Sequence, residues 1–365
     1  MKNILVVGMS GNLGGIEVFI KNYYLAIDNR DISFTFLVWD DKICFSDEFL
    51  KKGIKIEKLN CSRRKDPFAY YREIKEFLKT HEYFDIIHLH LQSASAIAVA
   101  VFGKKYGKKV IVHSHSSSVK GKISTLMHNF NKYRLRHIAD YFFACSEESG
   151  KWMFGERITK SGKFKVLKNA IDVKKYGYDE RTRHEVRKEL GISENAKVVG
   201  HVGRFVEVKN HAYLLRIFKE VLKKEPEAIL MCVGKGPLEE EIKRQAKELG
   251  IEQNVLLTGV RYDLERIYQA MDVFVMPSLY EGFPISVLEA QASGLSCVLS
   301  DNITRDVGIN QNVWYIALSK DIQMWEDKIT ACLEAPRLPE DLNRTAVEYD
   351  LNKNVKELVD VYEEL

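Results

Sequence analysis

One rhythm constrains this chain more than any single residue does: short apolar runs alternate with helical stretches, and the alternation starts over halfway along. The runs Asn3–Val7, Ser33–Val38, Asp85–Leu89, Lys109–His113 and Tyr141–Ala144 read as buried parallel strands. Apolar residues at helical spacing cover Ile16–Ala26, Ala69–Leu78 and Thr125–Ile138 between them. The second set comprises Lys197–Val202, Ala228–Val233, Val255–Leu257, Val273–Met276 and Ser296–Leu299, separated by helices over Ala212–Leu222, Leu238–Leu249 and Ile285–Ser293. Alternation of this kind packs helices on both faces of a parallel sheet. The predicted fold class is therefore α/β, with two doubly wound domains, 1–172 and 173–350, and a ligand cleft between the carboxyl ends of their strands. The polar stretch Asn169–Gly191 is the expected linker. The last segment, 351–365, carries one apolar face (Val355, Leu358, Val359, Val361, Tyr362) with nothing after it to cover, so it must dock on structure already formed.

A length of 365 residues and 45% hydrophobic content supply two cores. The apolar runs at Ile4–Met9 and Ala96–Phe102 are too short for an export signal or a membrane span. Six cysteines without a Cys-x-x-Cys pair point away from zinc and disulfides and toward a reducing, cytosolic setting. The net charge of +4 hides an asymmetry. Residues 1–172 hold 29 Lys/Arg against 18 Asp/Glu, whereas 173–365 hold 26 against 33. A basic half implies an anionic partner: nucleic acid, a membrane surface or a phosphorylated substrate.

The strongest motif runs from Pro277 to Ala290. A strand ends in a tight loop and feeds a helix, with Pro284 suited to the first turn. Free amides from Gly282 to Ser286, with the helix dipole, form an anion site. Glu281 and Glu289, as ionised carboxylates, accept hydrogen bonds from hydroxyl groups. Gly203-Arg204 follows another strand, and Lys209-Asn210 opens the next helix. Two cations at a strand end suit a diphosphate, Arg as a planar fork and Lys as a point charge. Gly234-Lys235-Gly236-Pro237 lets the backbone approach a ligand closely.

Glu281 and Glu289 with Gly203-Arg204 and Lys209-Asn210 resemble the retaining glycosyltransferases of the GT-B fold, family four, and within it the bacterial enzymes of capsule and exopolysaccharide assembly. Asp85-Ile86-Ile87-His88-Leu89-His90 and Val166-Leu167-Lys168-Asn169-Ala170-Ile171-Asp172 are similar to further landmarks of that family. The resemblance implies two Rossmann-like domains facing a cleft, with the C-terminal helix docking back on the first. It implies that Arg204 and Lys209 neutralise the donor diphosphate and that Glu289 accepts from the ribose hydroxyls. Glu281 would contact the donor sugar beside the amides of Gly282 and Phe283, with Val260 and Arg261 near the base. The loop holding Gly14 and Gly15 would border the acceptor and approach the donor phosphates, and His115 would lie near the transferred sugar. Ser296 departs from the family, where proline is common. The implied partners are a nucleotide-sugar and a glycan or lipid-linked acceptor, without nucleic acid.

His113 and His115 also read as a metal pair or as strand-end polar residues, although no third ligand is evident nearby. Gly8-x-x-Gly11-x-x-Gly14 with Asp40 and Tyr71-x-x-x-Lys75 imitates a short-chain dehydrogenase, but the Tyr/Lys pair comes too early in the chain. The same fold also accommodates a sugar-nucleotide epimerase or a non-catalytic sugar-nucleotide binder. No Asp-x-Asp triplet is present, so cations and helix amides are expected to meet the leaving-group charge without metal or other cofactor. By resemblance, the acceptor attacks on the face from which the phosphate departs, with that phosphate as base.

Residues 120–137 form a basic amphipathic segment. Lys120, Lys122, Lys132, Arg134, Arg136 and His137 are interleaved with Ile123, Leu126, Met127, Phe130, Tyr133 and Leu135, and no acid occurs between Val110 and Ala139. Such a helix can lie on an anionic leaflet. The plainer expectation is that its apolar face packs on the sheet while its charges face water.

Overall fold

The computed structural model describes every residue except 29, 64, 117, 118, 120 and 346–348; Lys120 of the basic segment thus lies outside the described residues. The chain divides into two compact units, Met1–Ile171 with Leu351–Leu365, and Asp172–Asp350.

The first unit is built on seven strands: β1 (Lys2–Val7), β2 (Ile32–Val38), β3 (Lys55–Lys58), β4 (Ile86–Leu91), β5 (Lys109–Ser114), β6 (Tyr141–Ala144) and β7 (Phe164–Val166). Their spatial order is β3-β2-β1-β4-β5-β6-β7, and each neighbouring pair is parallel. The second unit has β8 (Val198–Val202), β9 (Ile229–Val233), β10 (Val255–Gly259), β11 (Val273–Met276), β12 (Ser296–Ser300) and β13 (Val313–Ile316), again parallel, in the order β10-β9-β8-β11-β12-β13. Both sheets therefore reverse direction of growth once, at β1/β4 and at β8/β11, and ligands of such sheets bind beyond the strand ends at that reversal.

The central strands bury nearly every side chain because helices cover both faces, which is why they read as continuous apolar runs. Strands β3, β7 and β13 have no counterpart in the apolar pattern. They are sheet-edge elements of three or four residues and only partly buried; β3 and β7 include charged side chains, whereas β13 is Val-Trp-Tyr-Ile with Trp314 exposed.

The expected linker is structured. Within Asn169–Gly191 lie two helices, Val173–Tyr176 and Glu180–Glu189, the latter capped by the Asp179 carboxylate on the Thr182 amide. Arg183 and Arg187 fasten it by pairing with the two oxygens of Asp272 at 2.6 and 2.8 Å. Its polar appearance arises because those arginines bind carbonyls at the end of the helix Leu264–Ala270 instead of contributing to the apolar periodicity.

The C-terminal helix, Leu351–Glu364, belongs to the first unit. Leu358 and Tyr362 are fully buried there, in the cluster that contains Phe19, Tyr23 and Phe36. Its docking is polar as well as apolar: the Tyr362 hydroxyl lies 2.9 Å from that of Tyr24 and 2.6 Å from His88 Nδ1.

Candidate functional site

In the second unit the sequence-predicted residues gather at the reversal of the sheet. β8 ends at Val202 and β11 at Met276, and their following loops are laced together. Leu279 N–H donates to the Val208 carbonyl at 2.8 Å, and Asn210 Nδ2 to the Pro277 carbonyl at 3.0 Å. Asn210 adopts a left-handed conformation, φ 56°, which asparagine tolerates better than most residues. The result is an ion pair between loops far apart in sequence: Lys209 Nζ stands 2.8 Å from Glu281 Oε1, both side chains mostly buried. Arg204, beyond β8, is exposed and makes no ion pair among the described residues.

Glycine is required where the loops touch. At Gly234 (φ 142°) a Cβ would stand 2.1 Å from the Gly203 carbonyl oxygen, and at Gly236 it would stand 2.3 Å from that of Phe205. A Cβ on Gly203 would press on the Lys209 chain at 3.1 Å. Gly282 is exposed and its Cβ direction is open. Phe283 stacks on Tyr349, 5.5 Å between ring centres. The helix Ile285–Ala292 begins after Pro284, which sits at the cap position rather than inside the first turn, and no side chain caps its amides.

Glu289 is only 4% exposed. Its Oε1 accepts from the Tyr176 hydroxyl and its Oε2 from the Tyr268 hydroxyl, each at 2.9 Å. Burial, and then the nearby carboxylate, push both phenols well above their ordinary pKa, so both remain protonated donors. Neither tyrosine carries a signal in the sequence: Tyr176 reads only as a breaker of periodicity, and the helical spacing of Tyr268 says nothing of where its hydroxyl goes.

Val260 is partly exposed after β10, but the Arg261 guanidinium is consumed. It grips Asp263 through two bonds, at 2.8 and 2.7 Å, and Glu189 at 2.7 Å. Ser296 opens β12 as a buried residue.

The first unit has a different reversal point. Gly8 (φ 137°) follows β1, and a Cβ there would lie 2.7 Å from His90. Gly14 caps the helix Gly15–Ala26, its carbonyl accepting the Val18 amide. Beside it Glu17 is buried, accepts the Ser10 hydroxyl at 2.7 Å, and has its pKa raised by desolvation. Asp40 clips the same loop through the Gly11 amide at 2.7 Å, which accounts for the dehydrogenase-like acid without any ribose.

His115 lies just past β5, its Nε2 2.9 Å from His90 Nδ1 and its ring stacked on His113 at 4.1 Å. The pair His113/His115 is not isolated, contrary to the spacing-based expectation. Register sets His90 beside His113, and nitrogens of His88, His90 and His113 converge within 4.8 Å. Three imidazoles would suit zinc by donor type. Here the Tyr24 hydroxyl stands 3.0 Å from both His88 Nδ1 and His90 Nε2, while both ring nitrogens of His113 have no hydrogen-bond partner among the described residues. Burial holds all four rings neutral, with His88 and His115 pushed down to about 3.

The basic segment forms the helix Lys122–Ile138, and it meets the plainer expectation by half: its charges face water, but so do most of its apolar side chains. Its inward face is largely polar: His128 Nδ1 accepts the Ala94 amide, Asn131 Nδ2 donates to the Ala94 carbonyl, and Leu135 alone is a buried apolar residue. Its outward face is apolar and basic together, with Ile123, Leu126 and Phe130 exposed by 77, 74 and 67% beside the exposed Lys122 and Arg134. The reason is register: Ala94 precedes the helix Ala98–Lys105 and offers bare backbone groups that only polar side chains can satisfy. Among the described residues no helix is long and apolar enough to cross a membrane.

Residues 13–175 match the family model described as Glycosyltransferase Family 4, and residues 182–349 that of Glycosyl transferases group 1. The chain is 30% identical to the putative glycosyltransferase EpsF of Bacillus subtilis (strain 168) over 99% of its own length and 96% of that protein. It is 29% identical to an Escherichia coli UDP-Gal:alpha-D-GlcNAc-diphosphoundecaprenol alpha-1,3-galactosyltransferase over 60% of this chain and 58% of that one. Among solved structures, Anabaena Alr3699/HepE in complex with UDP-glucose superposes with a TM-score of 0.82 at 19% identity, each chain covered completely.

Proposed function

This chain belongs to the family-four glycosyltransferases of the GT-B fold, and on that premise we propose that it moves a sugar, with retention, from a UDP-linked donor to a glycan or lipid-linked acceptor of bacterial exopolysaccharide or capsule assembly. The carrying observation is the sheet reversal of residues 172–350, where the Lys209–Glu281 pair and the exposed Arg204 meet a helix whose first amides no side chain among the described residues caps. The UDP and UDP-glucose complexes of the Anabaena protein and the UDP-galactose donor of the Escherichia coli enzyme favour UDP.

In this reading Arg204 and Lys209 hold the diphosphate, with the Gly282 and Phe283 amides beside the sugar. Glu289, oriented by Tyr176 and Tyr268, accepts from the ribose. Glu281 has two tasks, holding Lys209 in place and accepting from the sugar hydroxyls. The bond from the anomeric carbon to the phosphate oxygen breaks, and the acceptor oxygen bonds to that carbon on the same face. The acceptor proton passes to the departing phosphate, and His115, neutral, serves as a hydrogen-bonding group near the sugar. The two cations take the place of a metal, so activity is expected to survive EDTA. The outward apolar and basic face of Lys122–Ile138 suits reversible association with the anionic inner leaflet, where a lipid-linked acceptor resides.

Release of UDP from UDP-sugars, assayed with and without undecaprenyl-diphosphate-linked acceptors, tests the reading. Acceptor-dependent release with an α-linked product supports it. Release that needs added magnesium or manganese, or an inverted product, overturns the corresponding part.

A further inference from the structure

Beside the helix Lys122–Ile138 lies a groove of about 530 Å³, walled by Tyr71, Val101, Phe102, Leu126, Met127 and Phe130. Its size is that of a site for an extended small molecule. Leu126 and Phe130 wall this groove and also belong to the exposed apolar face, so the groove opens on the surface that would rest on a leaflet. Arg134 is its one charged lining residue, beside the neutral Ser95 and Asn131. A second cation stands behind the wall: the Arg63 guanidinium donates to the Ser95 carbonyl and reaches Met127 Sδ at 3.8 Å. No acidic residue occurs between Val110 and Ala139 to oppose an anion.

Resting on the membrane-facing reading above, we propose that this groove holds one aliphatic chain of a phosphate-bearing lipid, with Arg134 at the head group. The apolar wall removes the chain from water, and the flexible Met127 thioether adapts to its contour. Arg134 at the rim, with Arg63 close behind the wall, selects an anionic amphiphile over a neutral or cationic one. A chain entering from the leaflet passes directly between Leu126 and Phe130 into the groove. An apolar segment of another protein would fill the same wall but would need an acidic complement of its own.

Calorimetry on the full chain with octyl and dodecyl phosphate, below their micelle concentrations, tests this. Dodecyl phosphate should bind at least about tenfold more tightly than octyl phosphate, because each buried methylene adds to the affinity. Dodecyltrimethylammonium should not bind, and inorganic phosphate, which the second unit can also take, should not displace dodecyl phosphate. Val101→Trp, which fills the groove, should weaken dodecyl phosphate at least about tenfold while sedimentation with anionic vesicles persists. A second variant, Leu126→Ala with Phe130→Ala, alters only exposed side chains and should weaken dodecyl phosphate comparably without disturbing the fold. Dodecyl phosphate binding that is equal in wild type and Val101→Trp, or indifferent to chain length, overturns the groove. A concentration-dependent dimer abolished by Val101→Trp also overturns it, because a second copy is then the occupant. Vesicle binding without dodecyl phosphate binding rejects the groove and leaves the surface reading standing. Failure to sediment with anionic vesicles rejects the surface reading first, and this inference with it.

Discussion

The two units share one strand order through the reversal point, yet the ends of their sheets hold opposite chemistry. In the first unit neutral rings pack along β4 and β5 and just past the end of β5: His88, His90, His113 and His115 with Tyr24 and with Tyr362 of the C-terminal helix. Past the ends of β8 and β11 in the second unit the residues are charged: Lys209 against Glu281, Arg204 without an ion pair among the described residues, and the buried Glu289 on the following helix. Topology thus provides a place for a ligand, and the residues after each strand decide which ligand. The first unit commits this region to cohesion and one partly exposed histidine, the second to a cluster of charge, which the proposed function reads as an anion site.

The sharpest way to break that comparison is to open the first unit. Tyr362→Ala removes a fully buried ring and the hydrogen-bond partner of Tyr24 and His88, and is expected to cost about 3–5 kcal/mol of stability. Denaturant unfolding measures it, and UDP affinity should stay unchanged at temperatures where the variant is folded. A loss below about 1 kcal/mol would mean that the helix is not integral to that core.

Next in size are the cations of the second unit. Arg204→Ala and Lys209→Ala are each expected to cost about 1.5–3 kcal/mol in UDP binding or in turnover, the value of a charge-assisted contact. Wild-type affinity and wild-type turnover in both variants would remove the diphosphate from this site. Glu281→Gln then separates the carboxylates. It should weaken UDP-sugar more than UDP, whereas Glu289→Gln should weaken both alike. Because Glu281 also holds Lys209, a modest effect on UDP itself is expected, and an equal loss on both ligands would reduce Glu281 to the positioning of Lys209.

Acid provides a graded test. A histidine whose pKa is lowered in the fold binds fewer protons folded than unfolded, so its stability contribution is complete above about pH 6.5 and declines as pH falls toward 3. The first unit has four such rings in contact, while the second has His201 and His211, the latter lowered to about 4. Hydrogen exchange at pH 5 against pH 7 should therefore show the first unit loosening before the second. The reverse order would mean that the histidine stack is not what limits acid stability.

Much of this molecule is legible in the chain. The doubled apolar rhythm specifies two parallel sheets, because strands buried on both faces must be apolar throughout. Spacing within one loop is equally plain: Gly203 with Lys209, and Glu281 with Glu289, each follow a strand end and so land at the reversal point. Edge strands β3 and β7 are hidden because partly buried edges tolerate charged residues, and β13 because four residues are too short a run to read as a strand. The stretch Asn169–Gly191 passes for a linker because Arg183 and Arg187 bind carbonyls and Asp272 from a helix that looks solvent-facing in one dimension. What the sequence alone determined was the local chemistry at each strand end. Only the tertiary structure decided the partnerships between residues distant along the chain. It joined Glu289 to Tyr176 and Tyr268, Asp40 to Gly11 and Tyr362 to His88, and it turned the basic helix with its apolar face outward. Those outcomes depend on which unsatisfied backbone and buried polar groups come within about 3 Å of each other, and periodicity along one segment carries no information about groups contributed by another.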